Sequence, residues 1–506
     1  MGRSSYQPRK DSRTMTSTNP AEILNHAGNP TRLFAGSEWM EATGGSVPSI
    51  NPATEEEVCR IGIASTSDVD CVVQMAEQGA AAWRDTPWNQ RAAKINLLAD
   101  ALAEAAERLA AVDTIESGLP ITGMRGDAAS SVNELRYFAG LCGETKGETF
   151  PDTKALFSST IMEPYGVVAR IVPFNHPLKY AAGKSAAVLA AGNAVILKPA
   201  EQTSLTTLEF ARLAGEILPP GVVNVVTGPG PTTGMDLVSH PGVPRVAFTG
   251  GVESGRAVSV AAAGHFKTVS LELGGKNPLV VFPDASVEAA AAAAIAGMNF
   301  KRSMGQSCMS QSRILVHDAV HDAFVAAFSE LVGQLRVGDP ADSETDIGPL
   351  VFEQHRDRVL AHINQARAEG GKVVVGGGAT KGRDRGYFVD PTVIVGVTPE
   401  MKIAQEEVFG PVAAIMAWSD YESMVDTINS LPMGLTANLW TNDLGKAMET
   451  ARRVQAGLVW VNGSGRKPLG VPFGGYKDSG FGREGSIDEL ISYTRKKSIV
   501  MHYAHG

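Results

Sequence analysis

Cysteine is scarce in this chain. Four residues in 506, Cys59, Cys71, Cys142 and Cys308, show neither a CxxC pair nor Cys/His ligand spacing. That excludes a disulfide framework and a zinc site, so no metal is expected. A reducing compartment suits such a chain, and the cytoplasm is the expected location. Positive charge is also short: 45 Lys and Arg face 54 Asp and Glu, a net charge of −9. Without a positive field, or a basic stripe interleaved with aromatics, nucleic-acid binding is not expected. Long apolar runs are missing too. The Ala-rich stretch VEAAAAAAIAGMNF is shorter than the ~18 residues that cross a bilayer and reads as a buried helix, so no membrane partner is expected. The opening MGRSSYQPRKDSRTMTST is polar and basic with no apolar core, unlike a secretory signal, and residues 1–29 read as a flexible arm.

What is present is core material: 43% of the residues are hydrophobic and 54 are glycine, enough for about two to four domains. Ile95, Leu98, Leu102, Ala105, Leu109 and Val112 recur at steps of three and four, the apolar face of a long helix. From Gly166 the pattern changes to short β-branched runs alternating with helical segments: GVVARIVPF, NAVILKP, VVNVVTG, RVAFTG and TVSLELGG. Strict alternation implies a parallel sheet with helices on both faces, a doubly wound architecture of the kind that binds nucleotides. A second series follows Gly275: PLVVF, RILVH, KVVVGG, PVAAIMAW, LTANLW and LVWVNG. The seam near ELGGKNP is the expected crevice, since such folds bind ligands at strand C-termini and domain seams.

Two glycine motifs are set aside. GFGREG, at 480–485, matches GxGxxG, yet no strand precedes it and no apolar helix follows. GPGPTTG, at 228–234, has the wrong glycine spacing, and its prolines lack amide donors. Two strand ends carry more. Gly250, Gly251 and Gly255 open a helix whose free amides suit an anion such as pyrophosphate. Lys198 ends a strand and Glu201 lies three positions beyond, where its carboxylate either accepts from a ribose diol or caps the following helix.

Three reactive groups stand out. Cys308 lies in the polar turn GQSCMSQS, unlike Cys71 in the apolar run VDCVVQM. Glu272 sits inside an apolar strand, where burial raises a carboxyl pKa towards that of a base working near neutrality. Asn175 follows the strand ARIVPF and offers an amide donor to a developing oxyanion.

In order along the chain, PFNHP, LKPAEQT, FTGGVESG, LELGGKNP, GQSCMSQSR, EEVFGPV, VWVN and PFGGYKDSGFGRE resemble the motif series of the NAD(P)-dependent aldehyde dehydrogenase superfamily, from about residue 30 to the end. The resemblance implies an α/β fold of three parts: a doubly wound parallel-sheet cofactor domain (30–141 and 163–274), a second α/β catalytic domain (275–476) and a small β oligomerisation element (142–162 and 477–506). It implies a homodimer or homotetramer acting on a small-molecule aldehyde. Cys308 matches the nucleophile, Asn175 the oxyanion donor, Glu272 the base that activates water, and Lys184 a lysine assisting proton transfer. Retention of Glu272 points to release of the free acid rather than transfer to coenzyme A, and presence of both Cys308 and Glu272 argues against a non-catalytic descendant.

For the cofactor, Lys198 and Glu201 match adenosine-ribose contacts, Gly251 and Gly255 the pyrophosphate turn, and Glu407 and Phe409 the nicotinamide ribose and ring, with Pro173 and Phe174 as further cofactor contacts. A carboxylate at Glu201 disfavours NADP, so NAD is the expected cofactor. Gly251 departs from the pattern, because relatives often carry Ser or Thr there. His176, Tyr180, Gly183, Met309 and Phe473 are expected to line the aldehyde tunnel. Where many relatives place an aromatic residue this chain has Gly183, which implies either a wider tunnel for bulky or aromatic aldehydes or a gap refilled by another side chain. Arg466 or Lys467 would suit a semialdehyde acid, and betaine or amino-aldehydes are the other alternative.

Overall fold

The computed structural model describes residues 30–465 and 467–503. The arm at 1–29 and Arg466 lie outside the described residues. Two parallel sheets dominate, as the alternation of runs implies. The first has eight strands in the order Glu38–Glu41, Arg32–Ala35, Val223–Val225, Ala194–Lys198, Val167–Ile171, Arg245–Gly250, Thr268–Leu273, Gly480–Phe481. Its five central strands are parallel. Val167–Ile171 and Ala194–Lys198 are buried at every position, which is why they read as continuous apolar runs rather than alternating ones. Within the parallel part of this sheet the chain starts at Val167–Ile171, builds outwards on one side, then returns to add Arg245–Gly250 on the other. Between those two strands the winding reverses, and a crevice opens beyond their C-terminal ends.

The second sheet runs Lys372–Val375, Thr392–Val395, Val412–Trp418, Arg313–His317, Pro278–Val281, Thr436–Trp440, Leu458–Val461. Only its first strand is antiparallel. Outside both sheets, Thr494–His502 pairs antiparallel with Leu156–Pro164 along its whole length, and every residue of that last strand except Thr494 is exposed.

One expected boundary moves. Gly480 and Phe481 belong to the segment assigned to the oligomerisation element, yet they form the antiparallel edge of the first sheet, opposite Glu272 and Leu271. Gly480 makes this possible: its φ is 109°, and a Cβ there would lie 2.1 Å from the Leu271 carbonyl oxygen. Only glycine tolerates both that backbone and that approach. The consequence is functional, because this edge seals the strand that carries Glu272. A pair of short N-terminal hairpins, including Ser46–Ile50 with Glu57–Gly62, had no counterpart in the sequence pattern.

Candidate active site

The nucleophile candidate sits on a tightly folded turn between two domains. Gly305 has φ 72°, and a Cβ on it would fall 2.0 Å from the Gly410 carbonyl oxygen, so the turn packs directly on the 410 backbone. Buried Asn277 clamps the other side: its Nδ2 donates to the carbonyls of Cys308 (2.7 Å) and Ser310 (3.0 Å), while its Oδ1 accepts from the Thr436 amide. Cys308 itself is partly exposed, with Met309 beside it. Asn277 was in plain view within LELGGKNP, but nothing local showed that it would grip a turn 31 residues away.

Asn175 approaches the same turn from the first domain. Its Nδ2 donates to the Gln306 carbonyl at 2.8 Å. An amide NH₂ carries two hydrogens, so one orients the side chain and the other is left for a reacting oxygen. The Asn175 loop is itself anchored by Asp113, a fully buried carboxyl on the Trp88–Ser117 helix. Asp113 accepts from the Leu178 amide (3.1 Å) and the Thr206 hydroxyl (2.6 Å), and burial pushes its pKa up to about 7.

Glu272 is buried, with Oε1 unpartnered among the described residues. Burial first, then the negative charge of Glu484, push it up to about 7, and its interaction with the Cys308 thiol pulls back. The thiol shows the reciprocal effect: burial and Glu272 push it well above the usual cysteine value. At rest the sulfur therefore holds its proton, and the carboxylate beside it is the acceptor. Tyr180, its phenol also pushed up by burial and by Cys308 and Glu272, is a protonated neighbour.

Lys184 does not stand free. It pairs with Glu484, which also takes Arg170 at 2.7 Å. Burial opposes the charge on Lys184, but Glu484 holds its pKa above the ordinary lysine value. Burial likewise opposes ionisation of Glu484, yet Lys184 and Arg170 keep it below the carboxylate range. Arg170 also donates to the Tyr493 hydroxyl at 2.7 Å. This buried network was missed in the sequence, although Arg170 carries the same signal as Glu272, a charge within an apolar strand. Glu484 lies inside GFGREG, whose glycines suggested only a false nucleotide motif.

The cofactor candidates line the crevice of the first sheet. Gly251 caps the Val252–Ala263 helix with no side-chain bond to its first amides, and the space at its missing Cβ is open. A phosphate fits that open, amide-lined helix start. Gly255 does something else: its missing Cβ admits Leu273 of the neighbouring strand, at 2.6 Å, so it serves helix–sheet packing. Lys198 is buried and lies 3.7 Å from Glu201, whose carboxylate is partly exposed. The capping alternative for Glu201 fails, because the Leu205 amide at the next helix donates to Glu116 instead. Glu407 accepts from the Gly275 amide at 3.2 Å, and burial pushes it up to about 8. The partly exposed rings of Phe174 and Phe409 meet edge to face at 5.8 Å, with Pro173 adjacent.

Of the tunnel candidates, His176 is buried and bound through Nδ1 to Asp127 at 2.6 Å, and Tyr180 and Phe473 are buried. Asp127 also holds Arg302. At Gly183 a Cβ would meet Glu134 Oε2 at 2.4 Å, so a carboxylate lies where a side chain would otherwise stand. Glu134 acts electrostatically on Lys184, Arg302 and Lys467.

A thiol, a buried carboxyl pushed up near neutrality and an amide donor thus converge where the two parallel-sheet domains meet, beside the crevice of the first sheet. The aldehyde dehydrogenase family profile matches residues 39–499, and the chain belongs to that family. It is 41% identical to the aldehyde dehydrogenase tropH of Talaromyces stipitatus, over 92% of each chain. It is 39% identical to a hydroxyisobutyraldehyde dehydrogenase of Mycolicibacterium austroafricanum, over 96% of each. The solved NAD+ complex of an aldehyde dehydrogenase from Bacillus cereus superposes with a TM-score of 0.90 at 35% identity, covering 96% of this chain and 99% of that one.

Proposed function

We propose that this chain oxidises an aldehyde to the carboxylic acid with NAD as hydride acceptor, through a thioester on Cys308. The observation that carries this reading is the meeting of Asn175, whose Nδ2 donates to the Gln306 carbonyl at 2.8 Å, with the Cys308 turn, beside a buried Glu272 carboxyl that acts electrostatically on the Cys308 thiol. Glu272 takes the thiol proton, directly or through water, and sulfur adds to the carbonyl carbon to form a tetrahedral thiohemiacetal. Asn175 Nδ2 and the Cys308 amide receive the oxyanion. NAD, when bound, supplies the hydride acceptor as that oxyanion collapses. Once that proton has passed to solvent, Glu272 takes a proton from water attacking the thioester, and the C–S bond breaks to release the acid and restore Cys308. Lys198 and Glu201 are the residues for the adenosine ribose, the Gly251 helix start for the pyrophosphate, and Glu407, Phe409, Phe174 and Pro173 for the nicotinamide end. The direct test is NADH formation from an aldehyde without coenzyme A; a strict requirement for coenzyme A would overturn release of the acid.

Asn175→Ala is expected to lower the acylation rate on the order of 10²- to 10³-fold, the usual loss of one oxyanion donor. Pre-steady-state NADH absorbance reads it, and an unchanged rate would remove Asn175 from the oxyanion site. Cofactor choice follows from Glu201. Repulsion of about 1–4 kcal/mol between its carboxylate and a 2′-phosphate near 4 Å predicts that NAD is favoured by about tenfold or more in kcat/KM, and that Glu201→Gln narrows the gap. Preference for NADP in the unmutated enzyme would sink this assignment.

For the substrate, the Glu134 carboxylate at Gly183 supports the refilled gap over a widened apolar wall. With Arg302 and Lys467 in its field, this side of the tunnel is charged, which favours aldehydes bearing a polar or ionic group, the semialdehyde acids and amino-aldehydes among them, over bulky aromatic ones. A panel of succinic semialdehyde, betaine aldehyde and benzaldehyde separates these, and benzaldehyde as the best substrate would restore the aromatic reading.

We also assign assembly to the ribbon of Leu156–Pro164 and Thr494–His502, which exposes Ile161, Ile499, Val500 and Met501 and has a free edge suited to pairing between subunits of a homodimer or homotetramer. The four cysteines are free thiols, which suits a reducing cytoplasm, and no helix among the described residues is long and apolar enough to cross a membrane.

A further inference from the structure

His355 has no part in the chemistry above, yet its two ring nitrogens are both committed. It is buried near the start of the Glu353–Ala368 helix. Nε2 lies 2.7 Å from the Phe409 carbonyl oxygen, and Nδ1 lies 3.3 Å from Arg358 Nη2. A guanidinium only donates, so Nδ1 must accept, and the ring hydrogen belongs on Nε2, where it is donated to Phe409. Burial pushes the ring pKa down to about 4, so this neutral tautomer persists across the working pH range.

The carbonyl that His355 receives belongs to an unusual residue. Phe409 has φ 55°, a left-handed backbone that side chains other than glycine seldom adopt. Its ring is set edge to face on Phe174, at 5.8 Å and 89°, and His355 stands 6.0 Å from both of those rings and 5.6 Å from Phe352. The next residue, Gly410, packs on Val359 of the same helix, where a Cβ would meet Val359 Cγ2 at 2.7 Å. The helix bearing His355 thus supports the 409–410 backbone twice, once by a hydrogen bond and once by contact.

We propose that His355 is a positioning residue for the nicotinamide end of the cofactor: its Nε2–H holds the Phe409 carbonyl, and with it the backbone turn that aims the Phe409 ring and the Glu407 carboxylate into the crevice. This rests on the reading of Glu407 and Phe409 as nicotinamide contacts. A strained backbone with an orphaned buried carbonyl relaxes when its donor is removed, and the ring it aims moves with it.

The test is binding of NADH, followed by its fluorescence, alongside binding of AMP, which occupies only the adenosine end. His355→Phe keeps the aromatic packing and removes the donor; it is expected to weaken NADH about tenfold and to leave AMP affinity as in the unmutated protein. His355→Gln restores an amide donor and is expected to recover most of the NADH affinity. NADH bound by His355→Phe as tightly as by the parent would overturn the proposal, and so would parallel weakening of NADH and AMP, which marks general damage to the crevice. If the Phe variant does not fold, His355→Asn, too short to reach the carbonyl, is compared with His355→Gln in the same way. Phe409→Ala distinguishes the two levels of the argument: unchanged NADH affinity there removes the nicotinamide reading of Phe409 itself, whereas weakened affinity there with a silent His355→Phe removes only the role of His355.

Discussion

Cys308→Ala is expected to abolish NADH formation, with a loss on the order of 10⁵- to 10⁶-fold, the scale seen when a covalent nucleophile is removed. No other thiol can replace it. Cys142 is buried just beyond the Ile121–Gly140 helix, its thiol on the Phe138 carbonyl, and is pushed up to about 11 by burial, Cys59 is raised further by burial and by Glu116, and Cys71 lies on the exposed side of the Thr66–Arg84 helix. Loss of one sulfur at a partly exposed turn leaves the cofactor crevice intact, so NADH titration should give nearly the parental affinity. An alanine variant that still turns over would end the assignment of the nucleophile.

The second large effect is at Glu272. In Glu272→Gln the amide preserves shape but cannot take a proton; water can still accept the thiol proton, so acylation, though slowed, outpaces deacylation. Rapid mixing should show a burst of about one NADH per site followed by a steady rate lower by about 10²- to 10⁴-fold, the range for a positioned general base. Steady turnover equal to the parent would remove its role. The pH profile supplies an independent reading. A base works only when unprotonated, and Glu272 is pushed up to about 7 by burial and by Glu484. The parental deacylation rate should therefore climb between about pH 6 and pH 8 as that proton leaves. In the glutamine variant this limb should vanish. A parental rate that is flat through neutrality would show that some other group limits the step.

Much of this site was legible before any coordinates. Cys308 broke the rule that structural cysteines sit in apolar periodic runs, and Glu272 broke the rule against charge within a buried strand. Both are local violations, visible in a window of a few residues. Arg170 violates the same rule in VVARI, but its carboxylate, Glu484, is 314 residues away, so no local window shows what the charge is for. The expectation at Gly183 split for a similar reason. A glycine shows where a side chain is missing, and only the packed helices show that Glu134 fills the place.

The order of Val- and Ile-rich runs and intervening amphipathic segments determined by itself that two parallel sheets would form, because burial on both faces leaves a signature in every strand. It likewise determined which residues could be reactive. Tertiary structure alone decided which of them act together: Asn277 on the Cys308 turn, Lys184 on Glu484, the Gly480 edge sealing the Glu272 strand, and His355 beneath Phe409. Periodicity reports a residue's immediate neighbours and its exposure, whereas these partnerships arise from strand order and domain docking, which bring together side chains encoded tens to hundreds of positions apart.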